Sequence, residues 1–210
     1  LILIALAGGT ACNRSSKPAK QSIFMKRATG FAYEVLVVMD NNTWKGEAGR
    51  LLYGQLTAPI PGLPQNEPTM RVTYAEPSQF NGLLHYVRNI INVRVDASLY
   101  TKVSVYKEKD RWATGQEVVT VNAPSPRLLA EYLEKQGTPL VAWLGEKERE
   151  RAAGYLEGSH SVWVDDKVKA RFNAQLHAPE EMCSYKDTTD FLWVTDHGVR
   201  GRTDMVVYSF

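Results

Sequence analysis

The sequence predicts an α+β fold, a mixed α/β arrangement in which helices pack on a mixed β-sheet and antiparallel strands are added late. Two observations carry this expectation. Between Tyr33 and Val121, β-branched runs alternate with helix-like segments, the pattern of a sheet with helices packed on it. From Ala174 onward, short apolar stretches cluster, which suggests antiparallel additions or a second lobe. A chain of roughly 200 residues buries about 70% of its unfolded surface, so its core needs no disulfide or metal staples.

The first strand is Tyr33 to Met39 (YEVLVVM), near-continuously apolar as expected of a strand covered on both faces. Asp40-Asn41-Asn42-Thr43 is dense in capping residues and leads into Trp44, Ala48, Leu51, Leu52 and Leu56 at helical spacing. Prolines 59, 61, 64 and 68 then stiffen a loop and exclude helix. Met70 to Ala75 alternates like a strand, and Pro77-Ser78 opens a short helix through Phe80, Leu83, Leu84 and Val87. Asn89 to Val95, Lys102 to Lys107 and Glu117 to Val121 read as three further strands, the middle one with a wet face. Asn122-Ala123-Pro124-Ser125-Pro126 starts a helix, Arg127 to Gln136, which Gly137 is expected to end. A second, charge-rich helix is expected over Pro139 to Leu156, and another runs from beyond Gly158 to Phe172. Ala174 to Ala178, Cys183 to Lys186, Phe191 to Thr195 and Met205 to Phe210 complete the strands. The last pattern is still open at Phe210, so more chain is expected beyond it, and residues 31–210 read as one α/β-type domain.

The first twelve residues, LILIALAGGTAC, carry no charge and end on Cys12. They fall short of the ~20 residues that span a bilayer but match a signal h-region of about 7–15. Gly9-Thr10-Ala11 before Cys12 resembles a lipobox, so residues 1–12 read as the end of an export signal and Cys12 as the lipidation site. Ala5-Leu6-Ala7 offers a rival cut by the ordinary signal peptidase, which would leave Cys12 a free thiol. Residues 13–30 form a basic tether, in which Arg14, Lys17, Lys20, Lys26 and Arg27 have no acidic neighbour. Near anionic headgroups each such charge can add about 1 kcal/mol of membrane attraction. The expected address is the bacterial cell envelope, on the outer membrane facing the periplasm.

The whole chain carries a formal +2, of which the tether holds +5, so the body is weakly acidic at −3. That argues against a nucleic-acid partner, which asks for a basic face. With Cys12 lipidated, Cys183 is a lone thiol, expected to be a small buried hydrophobe. His85, His160, His177 and His197 show no metal-ligand spacing, and His85 reads as a partly buried structural residue. No nucleophile elbow, Walker loop or dinucleotide fingerprint occurs, so neither cofactor nor metal is expected.

Three strands end on Asp40, Asp96 and Asn122, at the carboxyl edge where open α/β sheets gather ligands. Two carboxylates and an amide would suit a hard cation or an acid/base pair, though Asp and Asn also cap helices and form turns at such places. Asp165-Asp166 reads as solvated surface, and Glu146–Arg149 and Glu148–Arg151 as exposed helix pairing at i,i+3. Trp44, Trp112, Trp143, Trp163 and Trp193 are expected to serve the core, with an aromatic groove for glycan or peptide as the alternative.

YEVLVVMD (33–40), PIPGLPQNEP (59–68), FNGLLHYVRNIINVRVD (80–96), EVVTVNAPS (117–125), EKERERA (146–152) and DFLWVTD (190–196) together resemble an uncharacterised family of Bacteroidota lipoproteins, a domain of unknown function. The resemblance covers nearly all of the chain from Phe31. It implies envelope localisation and an α/β-type domain continuing past Phe210, and it brings no catalytic residues. The sequence therefore favours a non-enzymatic, lipid-anchored envelope protein that binds a protein, peptide or glycan. The alternative is a periplasmic metal-dependent or acid/base hydrolase using Asp40, Asp96 and Asn122.

Overall fold

A computed structural model describes residues 25–199 and 201–209. Cys12, the segment expected to be an export signal and most of the expected basic tether lie outside the described residues. The fold is α+β, as the sequence predicts: a five-stranded mixed sheet with helices, followed by a three-stranded antiparallel sheet.

The large sheet is built from β1 (Glu34–Val38), β2 (Arg71–Ala75), β3 (Asn89–Val95), β4 (Ser104–Lys109) and β5 (Glu117–Ala123). Their spatial order is β2-β1-β3-β5-β4, with every neighbouring pair parallel except the edge strand β4. Alternating residues of β1, β3 and β5 point to opposite faces, and both faces are covered. On one, Val35, Val37, Ile91, Val93, Val119 and Val121 pack with Leu52, Leu56, Leu129, Leu133 and Leu144 of the helices. On the other, Leu36, Val38, Ile90 and Val118 meet Phe80, Leu84, Val87 and Trp112.

Asp40 caps α1 (Asn41–Lys45), whose backbone opens at Gly46 before α2 (Glu47–Leu56), so one expected helix is two. The short helix expected after Pro77 is a 3-10 turn over Gly82–Tyr86, ended by the extended backbone of Val87. The largest departure is α3 (Pro126–Gly158), one 33-residue helix where two were expected. Gly137 does not end it, because there the missing Cβ lets α2 approach closely. A Cβ on Gly137 would collide with the Gln55 carboxamide, whose Nε2 donates to the Leu133 carbonyl at 2.8 Å. Pro139 costs the helix one backbone bond. Burial of Leu129, Leu133, Leu140, Val141 and Leu144 holds the helix continuous across that gap.

After α4 (Val162–Phe172), Asn173 turns the chain in a left-handed conformation, and the strand expected over Ala174 to Ala178 is a loop instead. β6 (Cys183–Asp187), β7 (Phe191–Thr195) and β8 (Asp204–Tyr208) form an antiparallel meander. Its core is separate, with Val164 and Val168 of α4 against Ala178, Met182, Leu192 and Val194. Cys183 lies on the exposed edge strand β6 instead of in this core. None of the five tryptophans is fully buried; Trp44, Trp112 and Trp143 pack against the margins of the larger clusters. Among the described residues, no helix is long and apolar enough to cross a membrane.

Candidate functional site: an arginine-lined pocket

The carboxyl edge of the sheet holds the three residues singled out from sequence. Asp40 accepts a hydrogen bond from the Thr43 amide at 3.0 Å as the cap of α1. Asp96 accepts from the Ser98 hydroxyl at 2.6 Å and the Ser98 amide at 2.8 Å, and these two bonds hold its carboxyl below the usual aspartate range. Asp40 and Asp96 line one hollow of about 310 Å³ with Arg94 and Tyr100. Asn122 lines a neighbouring hollow of about 560 Å³ with Thr120 and Arg111, and Arg94 belongs to both. The buried Asn122 Oδ1 and Thr120 Oγ1 have no hydrogen-bond partner among the described residues.

The denser concentration of charge lies at the opposite, amino-terminal edge. A 33-residue helix is roughly 50 Å long, about twice the length of a seven-residue strand, so α3 runs past the sheet it covers. Its overhanging part carries Glu148, Arg151 and Tyr155 under the starts of β1, β3 and β5. Residues 26–29 close the same edge: the Ala28 amide donates to the Thr114 carbonyl and the Thr29 amide to the Tyr86 carbonyl, at 2.9 and 2.7 Å. Between them lies a pocket of about 450 Å³, lined among others by Arg27, Tyr33, Arg88, Glu148, Arg151 and Tyr155.

Glu148 is the hub, with a side chain only 1% exposed. Arg88 Nη2 donates to its Oε2 at 2.7 Å, and Arg151 Nη1 and Asn89 Nδ2 donate to its Oε1 at 2.7 and 2.6 Å. Arg151 Nη2 also donates to Asn89 Oδ1 at 2.9 Å, which closes the ring. Removing a carboxylate from water costs several kcal/mol, and this one is balanced by three donors, two of them charged. Glu117 stands nearby at the start of β5; burial pushes its carboxyl up, against the pull of Arg151 and Lys147. Burial also works against the Arg151 charge, with Glu148 opposing it; the guanidinium stays charged nonetheless.

Among the residues that line the pocket, three arginines face one carboxylate, with Glu117 acting on Arg151 from the start of β5. Arg27 forms no ion pair among the described residues, and buried Arg88 Nε has no partner. The pocket is therefore cationic and short of acceptors, with the half-exposed Tyr33 and exposed Tyr155 rings beside it. Tyr33 adopts φ 59°, a left-handed conformation that costs a non-glycine residue of order 1–3 kcal/mol and concentrates at functional sites. Chemically, the arrangement can receive a carboxylate or phosphate group and stack a planar or sugar ring beside it.

From sequence, Glu148–Arg151 is expected to be exposed helix pairing. The i,i+3 pair does form, but at a buried position, and the water-facing pair is Lys147–Glu150. A signal was present, since Glu148 follows Leu140, Val141 and Leu144 at helical spacing and continues their buried stripe. His85 is half-buried and stacked on Trp112, the structural role expected of it. Asp166 is exposed, whereas Asp165 is half-buried and accepts from the Leu176 amide at 3.1 Å.

Fold and site together define an α+β protein with a predominantly parallel sheet and a cationic pocket at the amino ends of its strands. The chain belongs to the family described as domain of unknown function DUF8532, whose model matches residues 28–157. A second model, domain of unknown function DUF4837, matches residues 161–210, so the two matches meet at the turn between α3 and α4. No curated protein and no solved structure matches the chain.

Proposed function

We propose that this protein is a non-enzymatic, lipid-anchored cell-envelope protein that binds a protein, peptide or glycan partner through an anionic group of that partner. The pocket framed by Arg27, Arg88 and Arg151 carries this reading, because it holds more positive charge than Glu148 neutralises. The apolar run ending at Cys12 supports the anchor, and the basic segment behind it supports contact with anionic headgroups. Because residues 26–29 join that segment to the pocket edge, an anchored chain would hold the pocket near the membrane surface. The hydrolase reading has less support. Asp40 and Asp96 both accept local hydrogen bonds as cap and turn residues, and Asn122 lines a different hollow from theirs.

Binding is tested by titrating the full chain with a glutamate-rich peptide and with a carboxylated glycan fragment, each against its neutral amide form. The expected result is binding of the anionic form of one probe, with spectral shifts at the pocket, weakened by Arg27→Ala and abolished by Arg27→Glu. Arg27 is the residue to change because Arg88 and Arg151 also hold Glu148 in place. Equal binding of charged and neutral forms, or indifference to Arg27→Glu, sinks the reading. Mass spectrometry of the mature N-terminus tests the anchor, with a diacylglyceryl thioether on Cys12 expected.

A further inference from the structure

We propose that His160, Asp165 and His177 form a binding site for a divalent transition-metal ion of the zinc class. His160 lies in the short turn between α3 and α4, Asp165 in the first turn of α4, and His177 on the strand-free segment that returns toward β6. All three are half-buried, and each offers one ligand atom within 4.8 Å of the other two. Two imidazoles and a carboxylate are the donor set of open, three-ligand zinc sites and of the facial triads that hold other divalent transition metals. No sequence spacing announces the set, because the fold brings His177 back beside His160 across the whole of α4.

The surroundings orient these donors as metal ligands are usually oriented, through hydrogen bonds from behind. His160 Nδ1 lies 2.8 Å from the Leu156 carbonyl. A neutral ring there carries its proton on Nδ1 and keeps the Nε2 lone pair free. His177 Nε2 lies 2.9 Å from the Gln175 carboxamide nitrogen. With that carboxamide turned so that its oxygen accepts from Nε2, the His177 lone pair is on Nδ1. Asp165 uses Oδ1 to accept from the Leu176 amide at 3.1 Å and leaves Oδ2 for an ion. The two imidazoles are stacked, with centroids 4.2 Å apart and planes 19° from parallel. Their in-plane lone pairs therefore run side by side, and closing on an ion requires one ring to turn about its Cβ–Cγ bond. His177 and its partner Gln175 lie on the same loop and would turn together.

The site is distinct from the arginine pocket and stands or falls without it. An ion there would tie the α3–α4 turn to the return segment and leave coordination positions open to water. The test is a titration of the untagged full chain, stripped with EDTA and carrying Cys12→Ser and Cys183→Ser so that no thiolate takes part. Zinc binding is followed by calorimetry and cobalt binding by visible absorption. We expect one ion per chain, a cobalt spectrum of low coordination number, and an unfolding temperature that rises with zinc. His160→Ala and His177→Ala should each lower affinity by more than about 100-fold, and Gln175→Ala, which removes only a ligand's hydrogen-bond partner, by about tenfold. His85→Ala and His197→Ala should leave it unchanged. Should His160→Ala fail to fold, His177→Gln supplies the same comparison. Zinc bound equally well by the His160→Ala/His177→Ala double variant, or not bound by the parent, overturns the proposal.

Discussion

The two sheets of this molecule each hold a carboxylate between two cations, and the difference between them lies almost wholly in access to water. At the amino edge of the large sheet, Glu148 sits between Arg88 and Arg151 with 1% of its side chain exposed. Beside the small sheet, Asp187 sits between Lys167 and Arg171 with 25% exposed. The same arrangement of charge does different work in the two places. In the dry site the buried carboxylate needs both partners, since removing them leaves its charge out of water and unpaired. In the wet site water and salt can replace either partner, so the bridge trims the surface instead of holding it. Glu117 completes the comparison. It is buried near cations, but no ion pair engages it among the described residues, and its carboxyl is pushed up accordingly.

The largest expected effect follows from breaking the dry cluster. Glu148→Ala leaves Arg88 and Arg151, each about a fifth exposed at the pocket wall, without their shared carboxylate, and should cost up to about 3 kcal/mol of unfolding free energy, read by urea denaturation on tryptophan fluorescence. The sharper version replaces all three charged groups by hydrocarbon, as Arg88→Met, Glu148→Leu and Arg151→Met together. That variant should recover most of the stability while losing most of the pocket's positive charge, because the penalty lies in the unpaired charge. A small loss in Glu148→Ala would mean that water reaches the cluster freely, and the contrast between the two regions would disappear.

Glu117→Gln should act in the opposite direction and more weakly. A carboxyl raised above its ordinary value binds its proton more readily in the folded state. Its contribution is therefore fully present below the ordinary value of 4.5 and is lost as pH rises through the elevated one. At pH 7 burial of this carboxyl works against folding, whether the cost falls on its charge or on taking up a proton, so the amide should be more stable than the parent there. The two proteins should converge below the ordinary glutamate value. A stability difference that does not change with pH would show that Glu117 acts through packing alone.

How much of this could be read from sequence tracks the range over which the determining contacts act. β1, β3 and β5 were legible because a strand covered on both faces is nearly continuous in apolar residues, and VLVV, IINV and VVTV come close to that locally. Asp40 and Asp96 were legible as cap or turn residues, because such roles are settled within a few residues. The continuity of α3 was not legible, since Gly137 and Pro139 are stop signals on their own. Only contact with Gln55, far away in sequence, turns the glycine into a packing requirement. The same holds for the pocket: EKERER reads as surface until the sheet beneath Glu148 is in place. His160 and His177 become neighbours only through the return of the chain after α4.

The smallest expected effect belongs to the wet bridge, and it separates from the others by its response to acid and salt. Arg171 and then Lys167 hold the Asp187 carboxyl below its ordinary value of 3.8. A depressed carboxyl contributes stability that is present above the ordinary value and is lost as pH falls through the lowered one. Asp187→Asn should therefore be slightly less stable than the parent at neutral pH and equal to it once the solution is acid enough to protonate Asp187. Raising salt to about 1 M shortens the screening length to roughly 3 Å and should erase most of the difference at pH 7, while leaving the Glu148→Ala loss in place. Equal salt sensitivity in the two variants would mean that both clusters are open to ions, and burial could then no longer be what sets Glu148 apart from Asp187.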